Sequence, residues 1–280
     1  MPSAFDHCAA LVREKDRDRY LATLFAPTER RPALHALYAF NTEIARVREA
    51  AREPMPGEIR LQWWREVLRG ERVGEARAHP VAAALTEALL RHKLAREQLA
   101  QLIDAHAFDL YDEPMQSLGD LTRYAIQTEG VVFGYACRIL GADEQAIGTR
   151  VMNAGVAHTI ASVLGSLARH AARRQLYVPL LLLSQHGVER ETVFVRQNTE
   201  ALTAALAMLR ARARWYLGLV EAAQELPQIL PALLPLALTG PMLERMERTA
   251  DPFAFTPLPL WRRQWLLWRA ARDPRRVFAA

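Results

Sequence analysis

The sequence predicts an all-α fold. Alanine and leucine dominate its 280 residues, and apolar residues recur at three- and four-residue steps through almost the whole chain, which is the spacing of one helix face. Runs of β-branched residues are scarce, and no segment has the alternation of a typical strand. This length lies near the upper limit for one hydrophobic core and no linker-like segment interrupts it, so we expect a single domain over residues 1–280.

Prolines and glycines divide the first half of the chain into predicted helices. One helix is predicted from about Ala33 to Arg52, and Pro54 marks the start of the next. Residues 80–113 predict one or two amphipathic helices and residues 118–140 another, in which Gly130 and Gly134 favour close helix approach. This half therefore reads as a series of packed helices.

The second half contains one segment that raises the question of a membrane span. Residues 151–168 carry no formal charge, but Asn153, His158 and Ser162 lie among them, which favours a central buried helix. A long helix is predicted for residues 201–224. Residues 226–243 are apolar but contain repeated prolines, which predicts short packed turns instead of a span.

The last predicted helix, at about residues 257–272, is both aromatic and basic. Leu258, Trp261, Trp265 and Trp268 share one stripe of this helix, and Arg262, Arg263, Arg269 and Arg272 flank the stripe. Two interpretations remain open. The helix either lies in a membrane interface or docks a partner, or it is the last helix that covers the core, with its arginines in solvent.

Charge and motifs exclude several functional classes. The formal net charge is +5 and arginine supplies most of the basic residues, so an acidic partner or an anionic surface is one option and a GC-rich genome is another. No groove-reading motif accompanies the charge, and we predict no nucleic-acid partner. The sequence contains no H-E-x-x-H, P-loop or G-x-S-x-G motif.

Two cysteines make no disulfide framework and no secretory signal is visible, so we expect a cytoplasmic protein, with a peripheral position at the inner membrane as an option.

Two segments carry the residues of a family pattern. The first runs from Leu37 to Glu49 and contains Tyr38, Ala39 and Phe40. The second runs from Ala157 to Pro179 and ends in Arg174, Tyr177, Val178 and Pro179. Together they resemble the squalene/phytoene synthase family, in which Y-A-F-C-R leads into a D-D-x-x-D motif, and a helix with a D-x-x-x-D pair ends in R-x-x-Y-[LV]-P. The resemblance implies an isoprenoid-synthase helical bundle.

The positions that correspond to the family's aspartates hold other residues here. In the first motif they are Ala45, Arg46 and Glu49, and in the second they are Ser166 and His170. Magnesium requires hard oxygen ligands, which a hydroxyl and an imidazole replace poorly. Two unit positive charges 4 Å apart repel by about 4 kcal/mol at an effective dielectric constant of 20, so Arg46 opposes a nearby metal ion. We therefore predict no metal site and no cofactor, with Mg²⁺ needed only if the protein is an active enzyme.

Further residues favour one branch of the family. The chain most resembles the aspartate-poor branch that includes the mitochondrial complex I assembly factor. The residues that carry this resemblance are Asn41, Glu43, the run Gly57, Arg60, Gln62 and Trp64, Thr128, and the turn Gln185 to Val188. That branch implies a pseudoenzyme that acts in assembly of respiratory complex I, with its subunits or assembly proteins as partners.

Two alternatives to that function remain open. One is an active head-to-head prenyl-diphosphate condensing transferase, in which Glu43, Glu49, Asp104, Asp109 and Asp112 would rebuild the metal cage. The other is an isoprenoid lipid-binding module, with a lipid or prenyl diphosphate as ligand. The motifs identify no catalytic residue. The candidates for substrate or anion binding without a metal are Tyr38, Arg46, Arg48, Arg173, Arg174 and Tyr177.

Overall fold

The computed structural model describes residues 3–51, 53–143, 147–221 and 227–277. This part of the chain is helical and contains no strand, as the apolar spacing predicts. Its α-helices are α1 (Ala4–Lys15), α2 (Arg17–Thr23), α3 (Arg31–Ala45), α4 (Val47–Ala50), α5 (Pro54–Arg69), α6 (Val73–Ala78), α7 (Pro80–Arg91), α8 (Glu97–His106), α9 (Leu118–Ala125), α10 (Val131–Ile139), α11 (Arg150–Gly165), α12 (Leu167–Ala172), α13 (Leu180–Gln185), α14 (Arg190–Phe194), α15 (Glu200–Glu221), α16 (Leu230–Leu233), α17 (Thr239–Glu247) and α18 (Leu260–Arg272). A π-helical turn at Ile126–Gly130 joins α9 to α10, and 3₁₀ turns lie at Ala107–Leu110, Pro227–Ile229, Leu234–Leu238, Pro252–Ala254 and Pro274–Val277.

Helix α11 is the centre of the bundle, as the uncharged segment of residues 151–168 predicts. It packs against α9, α10, α15, α17 and the π-helical turn. At the contact with that turn, a Cβ atom added to Gly155 would lie 2.4 Å from the backbone nitrogen of Gly130. Real Cβ atoms do not approach a backbone atom so closely, so only glycine fits at residue 155. The predicted close approach at Gly130 is therefore present, whereas a Cβ at Gly134 would meet only ordinary contacts.

The buried side chains form two hydrophobic clusters, and α11 contributes to both. The first cluster lies largely among α1, α3, α7 and α10, and includes Ala154 and Ala157 of α11. The second lies among α9, α13, α15 and α17, and includes Ile160 and Leu164. Helix α11 is thus apolar around most of its circumference because it has protein on nearly every side.

Two predicted helices are interrupted in the structure. The helix expected from Ala33 to Arg52 ends at Ala45, and the separate α4 follows Arg46; Arg52 itself lies outside the described residues. The helix of the second motif breaks at Ser166, whose φ and ψ are −108° and 11°. Both breaks fall at motif positions, Arg46 and Ser166. Continuous apolar spacing does not reveal a break of one residue.

The C-terminal region contains the short turns that its prolines predict. Residues 227–238 alternate between 3₁₀ turns and the four-residue α16, while residues 222–226, where the two adjoining predictions end and begin, lie outside the described part of the chain. Helix α18 then packs against α2 and the turn Leu234–Leu238. Among the helices that the structure describes, none combines the length and apolar character that a membrane crossing requires.

Candidate functional site

The two motif segments meet at a cavity of about 210 Å³. The last residue of α3, the end of α8, the π-helical turn and helices α11 and α12 surround it. Its lining consists of Ala45, His106, Asp109, Tyr124, Thr128, Glu129, Thr159, Ser162, Val163, Ser166, Arg169, His170 and Tyr177. Residues far apart in sequence, from both predicted motifs, therefore share one polar space.

Asp109 is the centre of a hydrogen-bond network on one wall of the cavity. It is 8% exposed, and its Oδ1 accepts hydrogen bonds from the hydroxyls of Tyr177 at 2.6 Å and Tyr124 at 3.0 Å. His106 Nδ1 lies 2.6 Å from Oδ2. Burial and the charge of Asp109 raise the pKa of both tyrosines well above the ordinary value, so their hydroxyls remain donors. The lone pairs of Asp109 are largely taken up by the protein itself.

Glu129 forms a buried ion pair on a second wall. Arg19 of α2 binds Glu129 through Nη2 and binds Asp16 through Nη1 at 3.2 Å. Burial opposes ionisation of Glu129, but the guanidinium of Arg19, together with the neighbouring His158 and His106, lowers the pKa of this carboxyl below the ordinary value. His158 Nε2 lies 4.0 Å away, and burial lowers the pKa of that imidazole despite the carboxylate. The Glu129 charge is thus neutralised mainly by Arg19.

The second-motif positions present neutral groups to the cavity. Ser166 accepts a hydrogen bond from Arg169 Nη2 at 2.8 Å. The ring of His170 lies 4.6 Å from that of Tyr177. Burial, together with the neighbouring charge of Arg169, lowers the pKa of His170 to about 4, so its imidazole is uncharged at neutral pH.

The first motif is held by ion pairs beside the cavity. Glu49 pairs with Arg46 at 2.7 Å and with Arg173 at 3.2 Å, so it connects α4 to the residue after α12. Arg48 donates to the carbonyl of Leu110 at 2.9 Å and pairs with Asp112 at 3.0 Å. These arginines already have partners within the chain.

The candidate residues named from the sequence divide into two groups. Ala45, Ser166, His170 and Tyr177 line the cavity together. The others lie outside its lining. Arg46, Arg48, Glu49 and Arg173 form the pairs just described. Tyr38 is buried under the guanidinium of Arg19, and Arg174 binds Glu191 at 3.0 Å and lies over the ring of Phe194.

Sequence reasoning missed most of the polar residues in the site. Arg19 comes from a segment with no motif, and its pairing with Glu129 joins positions 110 residues apart. Thr128 drew attention only as a family marker, and Asp109 only as a spare carboxylate. A buried carboxylate must find donors. Because those donors come from four different elements, the spacing of residues in the sequence does not reveal them.

The oxygen donors present do not fit a magnesium ion. Among the described residues, no group of three or more His, Cys, Asp or Glu side chains is arranged to hold a metal. Magnesium takes carboxylate and phosphate oxygens in a near-octahedral set. At this cavity the carboxylates of Asp109 and Glu129 already accept hydrogen bonds from Tyr177 and Arg19.

An all-α bundle with a polar cavity between two broken helices defines a protein of the isoprenoid-synthase fold. The crystal structure of a dehydrosqualene synthase in complex with ligand superposes with a TM-score of 0.80 over 96% of this chain and 95% of that one, at 15% identity, which shows the fold alone. Residues 12–269 match the squalene/phytoene synthase profile, and the chain belongs to the squalene/phytoene synthase family.

The curated relatives include proteins of two kinds. The complex I assembly factor 6 of Mus musculus is 30% identical over 200 residues, which cover 71% of this chain and 60% of that protein. The chloroplastic phytoene synthase 1 of Arabidopsis thaliana is 25% identical over 225 residues, covering 78% of this chain and 53% of that one. The chain thus spans a little over half the length of the relatives it matches.

Proposed function

We propose that this chain is a non-catalytic member of the squalene/phytoene synthase family that acts in the assembly of respiratory complex I. Its similarity to the mouse protein named as a complex I assembly factor supports the process, and the chemistry of the cavity supports the absence of turnover. The proposed partners are complex I subunits or other assembly proteins.

The observation that carries the proposal is that the cavity neutralises its own carboxylates. Ionisation of an allylic diphosphate needs several positive charges at the leaving group, which metal ions supply when acidic side chains hold them. Here Ala45, Ser166 and His170 present no carboxylate. A metal ion at Asp109 or Glu129 would have to displace tyrosine hydroxyls or the Arg19 guanidinium.

The size of the cavity supports the same proposal. Pockets for small-molecule ligands usually have volumes of about 300–1,000 Å³. The cavity here, at about 210 Å³, lies below that range. Two prenyl chains and their diphosphates together exceed the volume of this cavity.

The alternative, a condensing transferase, is tested by direct assay. We expect the purified protein, incubated with farnesyl diphosphate and Mg²⁺, to release no more pyrophosphate than buffer does. Glu49 is the carboxylate left at a first-motif position, so Glu49→Gln is the matched variant. Sustained release that disappears in Glu49→Gln would overturn the proposal and support the transferase.

The assembly role is tested in the organism that encodes the chain. Deletion of the gene should lower NADH:quinone oxidoreductase activity in membranes and leave succinate dehydrogenase activity unchanged. Because no catalysis is proposed, Glu49→Gln and Ser166→Ala should restore the activity as well as wild type does. Normal complex I activity after deletion would contradict the assembly role, and failure of both folded variants to complement would contradict the non-catalytic role.

A further inference from the structure

Helix α18 exposes three tryptophans to solvent. Trp261, Trp265 and Trp268 are 69%, 46% and 44% exposed. At about 100° per residue they fall within an arc of about 60° on the helix. Leu267 and Ala270 are buried and project from the opposite side. We call this exposed stripe the tryptophan face. Packing against the core explains the other side of α18, and the described chain does not cover the tryptophan face.

The tryptophan face is bordered by arginines and lacks acidic residues. The Arg269 guanidinium lies 4.2 Å from the ring centroid of Trp265, and that of Arg272 lies 4.0 Å from the centroid of Trp268. Helix α18 contains four arginines and no Asp or Glu. Arg263 pairs with Asp18 of α2 and so fixes the helix to the body of the protein. Among the described residues, no carboxylate forms an ion pair with Arg262, Arg269 or Arg272.

The chemistry of this face fits one kind of surface. Tryptophan rings are most stable where one edge is apolar and the other wet, as at the boundary between lipid headgroups and acyl chains. Arginine pairs with phosphate groups in a planar, bidentate manner. A protein partner normally presents both signs of charge, whereas an anionic bilayer presents one, and a face with only cations complements the bilayer.

We propose that α18 docks flat on the surface of an anionic membrane, with Trp261, Trp265 and Trp268 in the interface and Arg262, Arg269 and Arg272 against lipid phosphates. The helix is amphipathic and too polar to insert across the bilayer, which is the pattern of an interfacial helix. The proposal concerns the purified chain and a lipid surface, so it does not depend on a role in complex I assembly.

Binding to liposomes tests the proposal. We expect the full chain to sediment with vesicles that contain one third phosphatidylglycerol and only weakly with pure phosphatidylcholine. Removal of two interfacial aromatic rings in Trp265→Ala/Trp268→Ala should weaken partitioning on the order of 100-fold. Neutralising Arg262, Arg269 and Arg272 with glutamine should weaken binding to the anionic vesicles by on the order of 100-fold, and binding to phosphatidylcholine much less.

A matched tryptophan elsewhere provides the control. Trp215 of α15 is 52% exposed and also lies beside an arginine, with Arg212 at 5.3 Å, so Trp215→Ala removes the same chemistry from another helix. The substituted tryptophans and Arg272 are exposed and Arg262 and Arg269 are half-buried, so circular dichroism should show that the variants fold. Three results together would support the proposal: binding requires phosphatidylglycerol, it survives Trp215→Ala, and it decreases at 1 M salt, where the Debye length is about 3 Å. It would be overturned if wild type does not bind, if the double variant binds equally well, or if Trp215→Ala loses as much. If wild type binds no vesicles, a protein partner becomes the occupant to test.

Discussion

Replacing Arg19 with methionine should destabilise the protein strongly at neutral pH. The Arg19 side chain is 6% exposed and that of Glu129 is 19% exposed, so the substitution leaves a buried carboxylate without its main counter-ion. Breaking one partner of such a pair typically costs about 3–5 kcal/mol. For a chain of this size we expect the melting temperature to fall by roughly 6–10 °C.

The pH dependence identifies the cause. In the wild type the pKa of Glu129 is lowered, so its contribution to stability is present above the unfolded-state pKa and is lost as the pH falls through the lower folded-state value. In Arg19→Met, the main group that lowers this pKa is gone and burial should raise it, so the stability deficit should shrink as the pH falls from 7 towards 5.

Urea unfolding at pH 7 and pH 5 measures both effects. The double variant Arg19→Met/Glu129→Gln removes the unpaired charge and should recover a large part of the loss at pH 7. A deficit for Arg19→Met that is below about 1 kcal/mol would refute the reasoning. So would a double variant that is no more stable than Arg19→Met at pH 7.

Three further predictions concern the contact between α11 and the π-helical turn and the network around Asp109. Gly155→Ala should lower the free energy of unfolding by about 1–3 kcal/mol because its Cβ overpacks against Gly130. The control Gly74→Ala has open space around it and should be neutral or stabilising in thermal unfolding. Equal effects of the two variants would contradict the packing argument. Tyr177→Phe should cost about 1.5–3 kcal/mol in urea unfolding because Asp109 loses a donor at 2.6 Å, and an unchanged unfolding midpoint would argue against this bond. In an NMR titration, the C2 proton of His170 should change chemical shift only near pH 4. Because the folded-state pKa of His170 is depressed, its contribution to stability should decline as the pH falls from 6.5 to about 4. Titration near pH 6.5 would contradict a buried imidazole.

The sequence was sufficient to predict the helical fold because the long helices bury an apolar stripe that periodicity reports directly. Helix α11 is the clearest case, since its residues after Arg150 carry no formal charge and helices surround it. Repeated prolines likewise predicted the short turns of residues 227–238. These features depend on local spacing and on backbone restrictions, and both can be read without knowledge of the tertiary contacts.

The polar site was predicted only in part, for a physical reason. The motif positions Ala45, Ser166 and His170, named from the sequence, do line one cavity. The groups that decide the charge of the cavity come from elsewhere in the chain. Arg19 reaches Glu129 across the bundle. Arg174, which looked equivalent to Arg173 in sequence, has a positive φ of 54° and binds Glu191 instead of facing the motifs. Neighbouring arginines can point in different directions, and only the backbone path shows which one meets Glu49.

The charge pattern suggests how a synthase fold can serve as a scaffold. Glu49 lies between Arg46 and Arg173, so positive charge still connects the two motif segments, and guanidinium groups supply it. A metal ion bound through a diphosphate holds such segments together only while the substrate is present. A guanidinium is covalently attached and always charged, so it can pair with Glu49 whether or not a ligand is present. On the proposed function, these ion pairs connect the two motif segments without a metal ion, and because they are partly exposed each contributes at most about 1 kcal/mol.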